Sequence, residues 1–334
     1  DVLGSRGLGD VYKRQPYINR TVTVLTMMKK NNYISEEECN KAIEEVKNGG
    51  LVFKKSKQDY TLNYEWFVYP AVSQVKEDLK KKGYKFTDSK GIISVKNVKQ
   101  GMRINGIDID IKEGEVVGLA GLLGSGRTEL AQVLFGVNAM DEGEIFWYES
   151  PAKINTPADA IKKGMGFCTE DRKTEGIVPH LSVKENLTIA FLPKISKFGF
   201  VNTKEQDEIV KTYIERLKIK TPTPEQAICN LSGGNQQKVL LARWMCMNPK
   251  LIIMDEPTRG IDVGAKAEIE QLIQELSDNG ISVLMISSEI AEIERNCDRV
   301  IVMREGKKIG QLIGDEISHE RIMQTIAKGS EREV

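Results

Sequence analysis

The sequence predicts an α/β domain with a largely parallel sheet, preceded by a mostly helical N-terminal segment. After about residue 88, short runs rich in aliphatic and β-branched residues alternate with longer stretches whose apolar residues recur at helical spacing. Before that point, lysine-rich and aromatic segments alternate polar and apolar residues in a helical pattern. The segment TDSKG, residues 87–91, is the expected boundary between the two parts.

The composition is that of a globular, soluble chain, and its charge does not favour nucleic acid as a partner. The 334 residues are 40% hydrophobic and 29% charged, and 48 Lys and Arg balance 48 Asp and Glu. Five scattered cysteines without a C-x-x-C pair, together with two histidines, predict reduced thiols and assemble no metal site by spacing. No apolar run reaches the ~18 residues of a membrane span, so a membrane role would come through a partner.

A glycine-rich run, GLAGLLGSGRTEL at residues 118–130, follows the phosphate-binding pattern G-x-x-x-x-G-K-[ST], except that Arg127 replaces the lysine. A strand candidate precedes the run and a helical pattern follows it, which is the order that a phosphate loop requires. Spaced glycines let successive backbone N–H groups point inward, and the helix adds its positive N-terminal end. These glycines are Gly121, Gly124 and Gly126. Thr128 would then reach Mg²⁺. Taken alone, the run also suits a purely structural glycine turn.

Two further stretches favour the nucleotide site. LIIMDEP, residues 251–257, is typical of a buried strand that delivers Asp255 to a Mg²⁺ shell and Glu256 to an attacking water, although solvated acids at a strand end give the same pattern. LSGGNQQK, residues 231–238, places Ser232 at the start of a helix, which predicts a second anion site or an ordinary N-cap. All three features in one domain are improbable by accident.

With these motifs, residues 91 to about 329 resemble a nucleotide-binding domain of the ABC family, specifically the C-terminal ATPase half of sugar importers of the ribose and galactose type. The matching stretches are GLLGSGRTEL for the Walker A motif, LSGGNQQK for the signature, LIIMDEP for the Walker B motif, TRGIDVGAK for the D-loop and TEDRKTEGIVPHLSVKENL for the Q-loop region. The resemblance implies a RecA-like P-loop core with an antiparallel β subdomain and a helical subdomain at about 174–245. It also implies an ATPase that couples Mg-ATP hydrolysis to monosaccharide uptake.

The resemblance implies roles for individual residues. It places Glu256 and Ser288 in catalysis, and Thr128 and Asp255 as the residues that hold Mg²⁺. The residues implied in nucleotide binding are Gly121, Gly124, Ser125, Gly126, Arg127, Thr128, Glu129 and Glu170. The signature residues, which would face ATP held by a partner, are Leu231, Ser232, Gly233, Gly234 and Asn235.

The family also implies partners and a location. The partners are an N-terminal ATPase half or a second ATPase subunit, a transmembrane sugar permease and, indirectly, a periplasmic or lipoprotein sugar-binding protein. The implied location is the cytoplasmic face of the cell membrane, as a peripheral subunit. Nucleic acid is not an expected partner.

Three departures from the usual ABC pattern leave two functions open. Arg127 replaces the Walker A lysine, Glu170 stands where most members carry the Q-loop glutamine, and Ser288 takes the position of the switch histidine. No Tyr or Phe precedes Phe135 in the domain to stack on adenine. The chain is expected either to hydrolyse ATP through Glu256, or to bind nucleotide without hydrolysis and donate its signature to a partner half.

The N-terminal part resembles a different family. Residues 16 to about 86 resemble the end of the glycosyltransferase region of class A penicillin-binding proteins, through INRTVTVLTMMKKNNYISEEECNKAIEE and YEWFVYPAVSQVKEDLKKKGY. Residues 1–15 resemble translated sequencing-adapter read-through and are expected to be an artefactual or disordered leader. Because penicillin-binding proteins work outside the membrane and an ABC ATPase needs cytosolic ATP, the chain is expected to be an assembly chimera. The alternative is a natural helical extension that docks on the ATPase.

Overall fold

The computed structural model describes residues 22, 25, 26, 29, 35–47 and 91–328. The chain divides into two compact units, residues 1–88 and 89–334. Residues 1–15 and the second aromatic segment of the N-terminal part, predicted to be helical, lie outside the described residues. No helix of the described part is both long and apolar enough to cross a membrane.

In the first unit, helix α1 spans Glu36–Lys47 and lies in the first of the two predicted helical segments. Buried Cys39 in this helix donates its Sγ–H to the carbonyl oxygen of Leu25 at 3.3 Å. Lys29 forms an ion pair with Glu36 at the start of the helix. These contacts attach α1 to the residues that precede it.

The second unit contains two sheets, a short hairpin and nine α-helices among its described residues. Its strands are β1 Gly91–Gln100, β2 Ile104–Lys112, β3 Val116–Gly121, β4 Glu142–Trp147, β5 Ser150–Pro151, β6 Met165–Cys168, β7 Ser196–Lys197, β8 Phe200–Val201, β9 Leu251–Asp255, β10 Ser282–Ile286, β11 Arg299–Arg304 and β12 Lys307–Ile313. Its α-helices are α2 Arg127–Leu134, α3 Pro157–Lys162, α4 Val183–Thr188, α5 Leu192–Ile195, α6 Thr203–Arg216, α7 Gly233–Met245, α8 Val263–Asp278, α9 Ile290–Asn296 and α10 His319–Lys328. A π-helical turn spans Arg172–Gly176, and 3-10 turns span Ile228–Asn230 and Gly314–Glu316.

The central sheet has six strands in the order β12-β11-β3-β10-β9-β6. Neighbouring strands from β11 to β6 are parallel, and β12 alone in this sheet runs antiparallel, at the edge. Every residue of β9 and β10 is buried, as parallel strands with both faces covered require. The predicted, largely parallel sheet is therefore confirmed.

The second sheet is antiparallel throughout, in the order β2-β1-β4-β5. Its core face is lined by aliphatic side chains, among them Ile93 and Val95 of β1 and Ile107 of β2, each at most 1% exposed. The mixed α/β architecture with one parallel and one antiparallel sheet agrees with the fold class that the sequence predicts. The region that the family resemblance assigns to a helical subdomain contains α4 to α7 together with the hairpin β7–β8.

Helix α7, which begins within the LSGGNQQK segment, packs closely on strand β6. Trp244 of α7 contacts Phe135 edge to face, with ring centroids 5.8 Å apart, and Phe135 lies 5.4 Å from Phe167. The absence of a side chain at Gly166 makes room for Trp244, because a Cβ there would lie 2.8 Å from the Trp244 Cβ. This contact anchors the C-terminal end of α7 on the central sheet.

Candidate functional site

The carboxyl ends of three neighbouring parallel strands meet at one edge of the central sheet. Strand β3 ends at Gly121, β9 at Asp255 and β10 at Ile286, and Asp255 is paired in register with Ile286. In open α/β sheets, ligands bind beyond the carboxyl ends of the strands. The loops that leave these three strands carry the residues implied in catalysis and most of those implied in nucleotide binding.

The loop between β3 and α2 curls tightly. Gly124 and Gly126 adopt left-handed φ angles of 78° and 96°, which glycine tolerates without a Cβ penalty. Ser125 between them accepts a hydrogen bond from Gly306 N–H through its carbonyl oxygen at 3.0 Å. A Cβ on Gly126 would lie 2.8 Å from the carbonyl oxygen of Arg103, so the loop packs directly on neighbouring backbone. The curl opens into the N-terminus of α2, an arrangement that suits an anion.

Two buried polar groups at this edge have no hydrogen-bond partner of normal geometry among the described residues. Asp255 is 1% exposed, and neither of its carboxylate oxygens accepts a hydrogen bond from any described residue. The hydroxyl of Ser125 is likewise buried and unpaired within the described part of the chain. Unpaired buried polar groups are costly, and hydroxyl and carboxylate oxygens are ligands that Mg²⁺ prefers. The residues present therefore suit Mg²⁺ bound with a phosphate ligand.

No group of three or more His, Cys, Asp or Glu among the described residues is arranged to hold a metal ion. Mg²⁺ in phosphate-transfer sites is typically held by one or two protein ligands together with substrate phosphates and water. A single buried carboxylate beside a phosphate loop is consistent with that mode of binding.

Burial raises the pKa of Asp255 from its usual 3.8 to about 6. The Thr128 hydroxyl and the Arg127 guanidinium lower this pKa, while the carboxylates of Glu256 and Glu129 raise it. Thr128 is thus close to Asp255, although no hydrogen bond of normal geometry reaches either Asp255 oxygen from the described residues. A cation at this position would favour the ionised carboxylate.

Glu256 and Ser288 meet at the same edge. The Ser288 hydroxyl donates to Glu256 Oε2 at 3.0 Å. Glu256 has a left-handed φ of 48°, uncommon for a residue other than glycine, and its N–H donates to the carbonyl oxygen of Ile286 at 2.9 Å. A serine at this position can therefore orient the Glu256 carboxylate, but it brings no positive charge.

Arg127 is nearly buried, at 9% exposure, and reaches from helix α2 to the end of β10. Its Nη1 donates to the carbonyl oxygen of Ser287 at 2.9 Å, the guanidinium's only hydrogen bond to described residues. A guanidinium carries five N–H donors, so donors remain for a phosphate. One donor is nevertheless used to hold the backbone next to Ser288.

Glu292 on helix α9 joins the loops around this site, and the sequence offers no signal that separates it from Glu294 of the same helix. This carboxylate is 1% exposed and accepts hydrogen bonds from Ser287 Oγ at 2.8 Å and from the Thr258 hydroxyl. Lys266 Nζ lies 3.6 Å from Glu292 Oε1. The buried carboxylate therefore joins the loop after β9 to the loop after β10.

Glu170 and Glu129, both implied in nucleotide binding, have arginine partners. Glu170 pairs with Arg259 from the loop after β9, and Glu129 Oε1 lies 2.8 Å from Arg103 Nη1. The Glu170 and Arg259 side chains are 38% and 63% exposed, so their ion pair contributes little stability. It does bring the segment after β6 against the segment after β9.

Helix α7 begins in the signature segment without a side-chain cap. Ser232 occupies the N-cap position with φ −60° and ψ 155°, but its Oγ accepts a hydrogen bond from Asn235 Nδ2 at 2.9 Å and none from the backbone of the first turn. Ser232 is thus the N-cap residue by position, but its side chain does not cap the helix as an ordinary N-cap would. Asn235 is held in turn by the Lys220 N–H, which donates to its Oδ1 at 2.8 Å. No side chain in the described part of the chain caps the first-turn N–H groups of α7, as an anion site requires.

Comparison with known proteins identifies the family. Residues 104–259 match the family model for ABC transporters. The putative ribose/galactose/methyl galactoside import ATP-binding protein of Halalkalibacterium halodurans is 48% identical over 233 residues, 70% of this chain and 45% of that protein. Residues 104–259 belong to the ABC transporter family. The ribose import ATP-binding protein RbsA of Bacillus licheniformis is 45% identical over 238 residues, 71% of this chain and 48% of that protein.

RbsA of Bacillus subtilis is 39% identical over 322 residues, 93% of this chain and 64% of that protein. The chain spans about half the length of the first two relatives. Among solved structures, the ADP conformation of MJ1267, an ATP-binding cassette of an ABC transporter, has a TM-score of 0.58 and 25% identity, covering 72% of this chain and 96% of its own. A nucleotide-free cassette reaches a TM-score of 0.60 at 24% identity over 73% of this chain and 98% of its own, so the fold is that of an ABC cassette.

The raised pKa of Asp255 predicts a pH-dependent stability of this ABC domain. Because the pKa of this carboxyl is higher in the folded than in the unfolded state, the free energy of unfolding falls as pH rises from about 4 to about 6. The decrease amounts to up to about 3 kcal/mol and persists at higher pH. Asp255→Asn removes this titration. We therefore expect the variant to be more stable than the wild type at pH 7.5 by about 1–3 kcal/mol, and nearly equal to it at pH 4.

Urea unfolding at both pH values, without nucleotide or Mg²⁺, measures this difference. The exposed Asp315→Asn serves as the control and should leave the pH dependence unchanged. An Asp255→Asn variant that is less stable than the wild type at pH 7.5 would contradict an unpaired, buried carboxylate.

Proposed function

We propose that this chain binds and hydrolyses Mg-ATP as the ATP-binding subunit of an ABC sugar importer. The observation that supports it best is the buried, unpaired carboxylate of Asp255 beside the glycine loop at the carboxyl edge of the sheet. The relatives from Halalkalibacterium halodurans and Bacillus licheniformis are named as import ATP-binding proteins for ribose and galactose. The proposed transported substrate is accordingly a monosaccharide, which the permease and the sugar-binding protein would select.

The glycine loop is proposed to hold the phosphates of ATP. Its backbone N–H groups and the N-terminus of α2 offer donors to the β- and γ-phosphates, and Arg127 adds its remaining N–H groups. Thr128 and Asp255 would hold Mg²⁺, and the bound ion would supply charge neutralisation on the phosphate oxygens. Glu129 and Glu170, each paired with an arginine, would set the local charge around the nucleotide.

Glu256 is proposed as the general base. Its carboxylate lies directly after Asp255, and the Ser288 hydroxyl holds one oxygen at 3.0 Å while the other remains for a water. Ionised Glu256 would take a proton from the water that attacks the γ-phosphate. Ser288 would keep the carboxylate oriented during this transfer.

The signature residues are proposed to act in trans. In this arrangement Leu231, Ser232, Gly233, Gly234 and Asn235 close over ATP held by an N-terminal ATPase half or a second ATPase subunit. The uncapped first turn of α7 suits the phosphates of that nucleotide. A transmembrane sugar permease would hold the pair at the cytoplasmic face of the membrane. A periplasmic or lipoprotein sugar-binding protein would be an indirect partner, through that permease.

A second candidate function is supported by the contacts of Arg127 and Ser288. Arg127 uses a donor on the Ser287 carbonyl, and Ser288 places a neutral hydroxyl on Glu256 instead of a histidine near the γ-phosphate. Loss of one transition-state donor typically costs ~10²–10³ in rate. The chain would then bind nucleotide with little turnover of its own and contribute its signature to the partner half.

Nucleotide binding is tested first by Gly126→Val. The left-handed φ of 96° and the carbonyl oxygen 2.8 Å from a Cβ leave no space for the side chain, so we expect Mg-ATP binding to be abolished. Calorimetric titration of the full chain measures the affinity. Gly91→Val is the matched control, because no heavy atom lies within 4 Å of a Cβ there, and its affinity should equal that of the wild type. Unchanged affinity in folded Gly126→Val would exclude this loop as the nucleotide site.

The N-terminal part is proposed to contribute nothing to this function. We propose that residues 1–15 are an artefactual leader, that residues 16–87 resemble a penicillin-binding-protein fragment because they were joined by assembly, and that residues 91–329 are the nucleotide-binding domain. A chain that begins at Gly91 should therefore bind Mg-ATP with the affinity of the full chain, within about twofold by calorimetry. A truncated chain that unfolds or loses affinity would favour a natural extension that docks on the ATPase.

The division of labour between the two ATP sites is tested in the transporter reconstituted with its partner ATPase half. Because the site on this chain lacks the lysine and the histidine, we expect Ser232→Arg to stop hydrolysis more completely than Glu256→Gln, with a residual rate at least about tenfold lower. Thr203→Arg, which adds the same side chain at an exposed position, is the control. The reverse order, with Glu256→Gln inactive and Ser232→Arg active, would make Arg127 a competent catalytic residue.

A further inference from the structure

Arg172 is a buried arginine that has no part in the proposed chemistry. It opens the π-helical turn Arg172–Gly176, two residues after Glu170, and is 8% exposed. Its Nε donates to Gln236 Oε1 at 3.2 Å and its Nη1 to the carbonyl oxygen of Arg259 at 3.3 Å. No carboxylate of the described residues lies within ion-pair distance of this guanidinium. A buried cation with only neutral acceptors is costly, so its position calls for an explanation beyond stability.

The first acceptor connects Arg172 to the signature. Gln236 lies in the first turn of α7 and is 6% exposed. While its Oε1 accepts from Arg172, its Nε2 donates to the carbonyl oxygens of Ile228 and Leu231, each at 3.2 Å. Leu231 immediately precedes Ser232. One amide side chain therefore holds the guanidinium on one side and the backbone that enters the signature on the other.

The second acceptor connects Arg172 to the chain's own nucleotide site. The Arg259 carbonyl belongs to the loop that follows Asp255 and Glu256, and the Arg259 side chain pairs with Glu170. Arg172 therefore contacts the backbone of Arg259, whose side chain pairs with Glu170 at the Q-loop position. A displacement of this loop changes the position of a carbonyl to which the guanidinium is bonded.

Close packing leaves little freedom between these segments. A Cβ on Gly233, the first glycine of the signature, would lie 2.9 Å from Arg172 Nη2 and 3.0 Å from the carbonyl oxygen of Gly260. The other end of the π-helical turn is also bonded to α7, because Arg243 Nη1 donates to the Gly176 carbonyl oxygen at 2.7 Å. The turn and helix α7 are thus joined at both ends and are expected to move together.

We propose that Arg172 is a positioning residue that couples nucleotide binding at this chain's own site to the placement of the signature it presents to a partner. The proposal rests on the proposed function. Arginine suits this task because its planar fork holds two acceptors in a fixed relative geometry, whereas the single ammonium of lysine does not. Movement of the loop after β9 is then transmitted through the guanidinium to Gln236 and to the Leu231 backbone.

Amide hydrogen exchange of the full chain, with and without a non-hydrolysable Mg-ATP analogue, tests the coupling. The variants are Arg172→Lys, Arg172→Gln and the control Lys173→Gln, an exposed neighbour on the same turn. Peptides covering the phosphate loop, residues 121–130, should be protected by the analogue in all four proteins. Peptides covering residues 228–238 should be protected at least about threefold in the wild type and the control, and should lose this response in both Arg172 variants.

The outcomes separate the coupling from the function on which it rests. No protection of the phosphate loop in the wild type contradicts the proposed nucleotide site. Protection of that loop with a wild-type response of residues 228–238 in Arg172→Lys overturns the coupling, as does the absence of any signature response in the wild type or a loss of it in Lys173→Gln. If Arg172→Gln does not fold, Arg172→Lys alone decides.

Calorimetry and turnover add a second readout. The analogue should bind Arg172→Lys with wild-type affinity, within about twofold, while ATP turnover with the partner half falls at least about tenfold. A double-mutant cycle with Gln236→Ala should be non-additive, because both changes break the same connection. Additive losses, or a parallel loss of binding affinity, would contradict a positioning role.

Discussion

The parallel pairing of β3, β10 and β9 is the constraint on which the site depends. These strands are distant in the chain, yet their register brings the residues after Gly121, Asp255 and Ile286 to one edge. A slip of one residue in β9 would turn Asp255 to the other face of the sheet. Because all three strands are completely or almost completely buried, hydrophobic packing fixes this register firmly.

Around that edge, polar groups fall into two kinds. The carboxylate of Glu292 and the hydroxyls of Thr258 and Ser287 satisfy one another, so they stiffen the loops after β9 and β10. The carboxylate of Asp255, equally buried, has no partner among the described residues. A satisfied network beside an unsatisfied carboxylate is the pattern expected where structure is held rigid for a ligand that supplies the missing contacts.

Three of the arginines described above connect segments around the site, and Arg172 does so through two nitrogens of one guanidinium. Arg127 donates to the backbone carbonyl before Ser288, and Arg259 pairs with Glu170. Arg172 donates to Gln236 of helix α7 and to the backbone of the loop after β9. In place of the Walker A lysine, Arg127 keeps a permanent positive charge while adding a structural bond that a lysine would have to leave the phosphate to make. The substitution is therefore compatible with nucleotide binding and alters what the residue does for the loop after β10.

The sequence by itself determined the α/β class, the strand, glycine turn and helix around Gly124, the acid pair at the end of β9 and the family. These features depend on periodicity and on motifs a few residues long, which neighbouring residues encode. Only the tertiary structure decided that Asp255 has no hydrogen-bond partner among the described residues, that the Ser232 side chain bonds Asn235 instead of capping α7, and that Glu292 and Arg172 link separate loops. Arg127 and Ser287 are 160 positions apart, and Arg172 and Gln236 are 64 apart. No local pattern reports such contacts, because they exist only once the sheet register has brought distant segments together.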